Sequence, residues 1–189
     1  MNEVRLYGAL LAVLLIGAYL SWTKEDPAEA DAKVVLLEAQ AQEIDSLVFV
    51  TRTQTVRLSW RDLDGQRTTR FSTESKPRKR SFVGNDEVET LVKRFAPFEA
   101  LRSLGKKLSD EELKSTKLDK PPGRLTVKAG ARERVYRVGG KTGGSRDFYV
   151  QRKDDPEVLL VEAKTLGDLQ YPDGKYMQRK LRRQKENEV

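Results

Sequence analysis

Histidine and cysteine are both absent from the 189 residues. The first absence removes the Ser/His/Asp triad and imidazole-ligated zinc. The second removes thiol nucleophiles, thiolate metal sites, iron–sulfur clusters, disulfides and a lipoprotein anchor. Most common catalytic chemistries are therefore excluded before any motif is sought. What remains is charged: 34% Asp, Glu, Lys and Arg against 38% apolar residues, with 36 bases, 29 acids and a formal net charge of +7. That composition is polar for a globular protein but short of the low hydrophobicity that prevents folding, so one modest domain is expected.

The first apolar feature is Leu6 to Trp22, a run of seventeen residues without a charge. At about 1.5 Å per residue such a helix is close to the minimum that crosses a hydrocarbon core. Tyr7, Tyr19 and Trp22 lie near its ends, where amphipathic rings favour the headgroup layer. A cleaved signal peptide is the competing reading. Its small-x-small site, Ala28-Glu29-Ala30, falls beyond the run and behind the charged stretch Lys24-Glu25-Asp26-Pro27, so an uncleaved anchor over residues 1–22 is favoured. Arg5 and the amino terminus, offset by Glu3, precede the span, whereas Lys24 is outnumbered after it by Glu25, Asp26, Glu29 and Asp31. The positive-inside rule then puts the N-terminus in the cytoplasm and the rest outside, which in a bacterium means an inner-membrane protein with a periplasmic or extracytoplasmic domain.

Residues 23–33 read as a tether, residues 34–170 as the domain and residues 171–189 as a basic tail. Strand-like segments run over Val34 to Leu37, Ser46 to Arg52, Thr55 to Asp62 and Arg67 to Thr73. In Thr55 to Trp60 the alternation puts Val56, Leu58 and Trp60 on one face and Arg57 and Ser59 on the other. Asp64-Gly65 is a hairpin-turn signal. Ser75 to Ser81 reads as a basic loop. Asp86 to Leu104 carries Val88, Leu91, Val92, Phe95, Phe98 and Leu101 at helical spacing, with Asn85 or Asp86 as N-cap, Gly105 past its end, and Pro97 inside it as a kink or division. Ser109 and Glu112 suit the capping box of a further short helix.

After Pro121-Pro122-Gly123, four strands follow at Arg124 to Ala129, Arg132 to Val138, Asp147 to Arg152 and Glu157 to Val161, separated by short turns that favour a meander. A short helix over Ala163 to Leu169 closes the domain. The expected class is α+β, an antiparallel sheet with helices packed on one face, preceded by one transmembrane helix. The tail from Lys175 is basic, and its few apolar residues, Tyr176, Met177 and Leu181, give it little to bury.

The run Leu118-Asp119-Lys120-Pro121, two strands, a glycine-bearing loop, the aromatic strand Phe148-Tyr149-Val150, the turn Pro156-Glu157-Val158 into Leu159-Leu160-Val161, and a closing helix resemble a bacterial family, domain of unknown function 4340. Ile44 to Trp60 and the helix from Asp86 resemble its first hairpin and central helix. The resemblance implies a domain held outside the cytoplasm by one N-terminal helix and encoded beside gliding-motility-type ABC transporter subunits. It carries no catalytic residues.

Gly139-Gly140-Lys141-Thr142-Gly143-Gly144-Ser145 lacks the GxxxxGK[ST] spacing and leads into a strand, so it reads as a long hairpin connection and not a phosphate loop. Asp110-Glu111 and Asp154-Asp155 read as caps and solvated turns; no calcium loop is present and nothing selects a glycosidase pair. The basic segments are more informative. Residues 67–80 hold six bases against Glu74, and residues 175–189 six against Glu186 and Glu188.

Within them Lys76, Arg78, Lys79, Arg80, Arg179, Lys180, Arg182 and Arg183 are the candidate contacts for a partner or polyanion. No catalytic residue, cofactor or metal is assigned. The expected role is a non-enzymatic accessory subunit of an ABC transporter-like envelope complex, meeting the permease and other envelope proteins through exposed strand faces and the Lys76–Arg80 segment. The competing role is a tethered binder of anionic glycan or lipid. Nucleic acid is disfavoured by the outside location and the lack of a reader motif.

Overall fold

The computed structural model describes residues 33–63, 66–170 and 172–177. The anchor, nearly all of the tether, the Asp64-Gly65 turn and the tail bases Arg179, Lys180, Arg182 and Arg183 lie outside them. Among the described residues no helix is long and apolar enough to cross a membrane.

In chain order the elements are β1 (Val34–Leu37), a 3-10 turn (Ala41–Glu43), β2 (Ile44–Thr51), β3 (Thr55–Leu63), β4 (Gln66–Ser75), β5 (Arg78–Val83), α1 (Glu87–Lys93), β6 (Phe98–Ala100), β7 (Arg102–Gly105), α2 (Asp110–Ser115), β8 (Gly123–Ala129), β9 (Arg132–Lys141), β10 (Phe148–Arg152), β11 (Val158–Val161), α3 (Ala163–Gln170) and α4 (Asp173–Tyr176). This is mostly antiparallel sheet with a few helices, an α+β arrangement. Nine strands form one sheet in the order β5-β4-β3-β2-β8-β9-β10-β11-β7, and β1 pairs with β6 in a small second sheet. Two meanders, β2 to β5 and β8 to β11, thus run outward in opposite directions from a central β2–β8 seam, where Leu47 faces Val127 and Phe49 faces Leu125.

Period-two alternation decides which side of this sheet is buried. Leu47 and Phe49 of β2, Val56 and Leu58 of β3, Phe71 of β4, Leu125 and Val127 of β8, Tyr136 and Val138 of β9, and Phe148 and Val150 of β10 share one apolar cluster. Val88, Leu91 and Val92 of α1, Leu166 and Leu169 of α3, and Tyr176 of α4 cover it. Aromatic contacts knit the cover to the sheet: Phe71 stacks between Phe82 and Tyr176, at 5.2 and 5.8 Å, and Phe98 meets Tyr136 edge-on at 5.3 Å. The Tyr136 hydroxyl donates to the Leu36 carbonyl at 3.0 Å and ties β1 to β9; burial pushes its pKa upward.

Several expectations are corrected. The helical period from Asp86 does not continue through Pro97: α1 stops at Lys93, and Phe98 and Ala100 belong to β6. Proline lacks the donor a helix needs and disfavours helical geometry in the residue before it, so the spacing of Phe98 and Leu101 imitates a helix that cannot form. Ser75 to Ser81 is not a loop; its second half begins β5, paired with β4 from Ser75↔Arg78 to Arg70↔Val83.

The glycine-bearing connection is shorter than expected, because Gly139, Gly140 and Lys141 complete β9. Thr142 then closes the turn, donating its N–H to the Asp147 carbonyl and accepting the Asp147 N–H on its hydroxyl. The packed core also reaches beyond residue 170, since Tyr176 is only 1% exposed.

Finally, the helices are not all on one face. α2 buries none of its own residues, and the segment that follows it lies over Gly139, where a Cβ would meet the Thr116 carbonyl oxygen and the Leu118 side chain. Gly139 alternates with Val138, which faces the main cluster, so Thr116 and Leu118 cover the opposite face.

Candidate functional site

Among the described residues, the face of the sheet opposite the main core is covered only in part. At Gly139 it is closed by Thr116 and Leu118, and in β11 both faces are buried, with Leu159 and Val161 in the main cluster and Val158 and Leu160 outside it. Over β5, β4, β3, β2, β8 and the first half of β9 the outward positions are exposed or half-buried.

Those positions can be walked strand by strand from the register. In β3 they are Arg57, Ser59 and Arg61, across from Ser72, Arg70 and Thr68 of β4. Arg70 lies across from Val83 of β5, and Glu74 from Lys79. On the other side of β3, Ser46 and Val48 of β2 face Ser59 and Arg57, and beyond them lie Lys128, Thr126 and Arg124 of β8. Glu133, Val135 and Arg137 of β9 complete the row.

Seven bases, Arg57, Arg61, Arg70, Lys79, Arg124, Lys128 and Arg137, therefore share one open face with two acids, Glu74 and Glu133. Such a surplus of one sign on an exposed surface creates a potential that attracts anionic partners.

Pairing within the face is weak. Lys79 meets Glu74 at 3.9 Å with both side chains mostly exposed, which contributes little to stability. Arg70 donates to the Ser81 hydroxyl at 2.7 Å. The stronger ion pairs lie elsewhere: Arg94 with Asp168 at 2.7 Å, Arg152 with Asp154 at 2.6 Å and Arg132 with Glu43 at 3.3 Å. Asp168 also accepts from Lys175 at 3.1 Å and from the Tyr176 hydroxyl at 2.8 Å. Its partial burial would raise the carboxyl pKa, but these three donors outweigh it and hold the pKa below the usual range. Burial raises that of Tyr176, and its bond to Asp168 raises it further. The Asp168 cluster pins α1, α3 and α4 together and is structural.

Against this map, the sequence candidates separate. Lys76 lies in the turn at the tip of the β4–β5 hairpin, and Arg78, Lys79 and Arg80 lie on β5. Alternation sends Lys79 to the open face, and Arg78 and Arg80 to the side on which Phe82 packs against the core, so the four do not make one patch.

Sequence reasoning missed the sheet face itself. Its one available signal was period-two placement of bases: Arg57 and Arg61 outward of Val56, Leu58 and Trp60, and Arg124 and Lys128 outward of Leu125 and Val127. Asp110 and Glu111 stand in the first turn of α2, as caps do, and Asp154 and Asp155 pair with Arg152 in a turn. Among the described residues no group of three or more carboxylates could hold a metal ion.

Neither a curated protein nor a solved structure matches the chain. A family model does, over residues 82–188, from the end of β5 through α4 and onward. The match leaves β1 to β4 outside, so the likeness expected for Ile44 to Trp60 lies beyond it. Covering more than half of the 189 residues, it shows that this chain belongs to the family described as domain of unknown function DUF4340.

Proposed function

We propose that the chain is a membrane-anchored accessory subunit of an ABC transporter-like envelope complex, without catalysis of its own, and that its open sheet face docks an acidic surface of a partner protein. One observation carries the reading: seven bases against two acids on a contiguous face of antiparallel sheet that the other described residues leave open. Charge complementarity of this kind speeds encounter and rejects wrongly charged partners. The anchor and the transporter association rest on the Leu6 to Trp22 run and on the reading of family members as neighbours of ABC transporter subunits.

The test is affinity purification of the full chain from native membranes in mild detergent. The expected result is recovery of an ATPase and a polytopic permease, lost when Arg57, Arg61 and Arg70 are changed together to Glu and retained when Lys76 and Arg78 are changed instead. Repeated recovery of the protein alone overturns the proposal.

A further inference from the structure

The sheet face is concave where the β8–β9 hairpin meets the loop after β2. This groove has a volume of about 540 Å³ and is lined by Val50, Thr126 and Val135, by Pro121 and Pro122, and by the bases Arg52, Arg124, Arg137 and Lys153, with Glu133 the one acid. Its size lies within the range of small-molecule sites, roughly 300–1,000 Å³. Glu133 stands directly across the strands from Lys128, a base outside the groove.

The central pair is unusual. Arg124 and Arg137 are register partners, and alternation turns both outward on neighbouring strands. Like charges directly opposite each other destabilise a sheet. Among the described residues neither forms an ion pair, and Arg137 reaches only the Gln151 side-chain oxygen, at 3.5 Å. Elsewhere Arg94, Arg132 and Arg152 all find carboxylates. A local rule broken without compensation is what a binding site looks like when its ligand supplies the missing charge.

We propose that this groove binds a phosphate ester of a small aliphatic or sugar-like alcohol. Two guanidinium forks on adjacent strands match the several oxygens of a phosphate, which forks grip in pairs where ammonium groups act as point charges. A phosphate monoester carries close to two negative charges near neutral pH, which suits four bases and one acid better than a single carboxylate does. The valines and prolines give the organic part an apolar surface. No aromatic ring lines the groove, so it has no platform on which a nucleobase could stack. The site shares a face with the proposed docking surface but does not rest on that reading: a small ligand can bind whether or not a protein partner exists.

The test uses the full chain in non-ionic detergent, with glycerol 3-phosphate, glycerol, sulfate and monomeric dihexanoyl phosphatidic acid as calorimetric probes. Glycerol 3-phosphate should bind one to one and glycerol should not. Arg124→Gln and Arg137→Gln should each weaken binding about tenfold, and Lys93→Gln, on α1 and away from the sheet face, should leave it unchanged. Arg124→Lys, which keeps the charge and loses the fork, should fall between. Relief of the like-charge pair should leave the melting temperature of Arg124→Gln equal or higher, which separates lost binding from lost folding. Tighter binding of the lipid would assign the phosphate to a headgroup, and equal binding to a soluble ester; both support the site. Sulfate binding as well as glycerol 3-phosphate, or retained binding in the Arg124→Gln/Arg137→Gln double variant, would overturn it. Partner recovery that survives the double variant while phosphate binding is lost would show the two proposals to be separable.

Discussion

Asp168 shows how one carboxylate can organise three elements. Arg94 follows α1, Lys175 and Tyr176 belong to α4, and all three donate to one carboxylate oxygen on α3. With Asp168 22% exposed and Arg94 19%, these bonds are only partly screened. Asp168→Asn should therefore destabilise the domain by about 2 kcal/mol, the scale of hydrogen bonds to a charged group, measured by denaturant unfolding near pH 7. The folded-state pKa of Asp168 lies below its unfolded value, so the contribution is present above about pH 4, the unfolded carboxyl pKa, and is lost as pH falls through the folded one. The gap between wild type and Asp168→Asn should narrow at pH 3; an unchanged gap would mean that charge is not what the cluster supplies. Gly139 makes a different residue-scale case. An added Cβ meets the Thr116 carbonyl, backbone that is also held by the Gly140 N–H at 2.7 Å, so Gly139→Ala should cost about 1–3 kcal/mol by overpacking.

Elements were legible in the sequence where one local signal dominated. The capping box expected at Ser109 and Glu112 is formed: the Ser109 hydroxyl accepts the Glu112 N–H at 3.3 Å, and the Glu112 carboxylate accepts the Ser109 N–H at 2.7 Å. The latter bond, with the one from the Ser109 hydroxyl, lowers the Glu112 pKa. Because α2 buries none of its residues, its caps matter more than packing does. Ser109→Ala should cost about 1 kcal/mol, and hydrogen exchange should quicken in α2 while β8 and β9 stay protected. The β8–β11 meander was legible because each turn is short and each strand alternates. β5 was not, since the run Arg78 to Arg80 suggests a loop by charge. An edge strand tolerates such residues: β4 supplies its hydrogen bonds, and exposed bases discourage further pairing. The extended helix expected from Asp86 failed for the opposite reason, because the apolar spacing was right and Pro97 overruled it.

At the scale of the whole molecule, the basic face was hidden because it belongs to no segment. Arg57, Arg70, Arg124 and Arg137 come from four strands, and only the register of the sheet, continued through the β2–β8 seam, brings them onto one face. Runs such as Lys76 to Arg80 stood out in the sequence, yet alternation divides that run between two sides of the sheet. The histidine-free composition gives this face a further property. Arginine and lysine stay charged through neutral pH, and no imidazole is present to titrate between pH 5 and 8. The potential of the face should thus be constant across that window and respond only to screening. A poly-glutamate peptide, whose carboxyls titrate well below pH 6.5 even with their mutual repulsion, provides a probe that stays ionised from pH 6.5 to 8. Its affinity for the full chain should be flat from pH 6.5 to 8 at fixed ionic strength. It should fall steeply from 0.05 to 0.5 M salt, as the screening length shrinks from about 14 Å to about 4 Å, less than the spacing of the outer strands. The loss should lie mainly in the association rate, since long-range attraction acts before contact, and it should be smaller in the Arg57/Arg61/Arg70→Glu variant. Salt-independent binding would show that apolar contacts, and not the seven bases, govern what this face recognises.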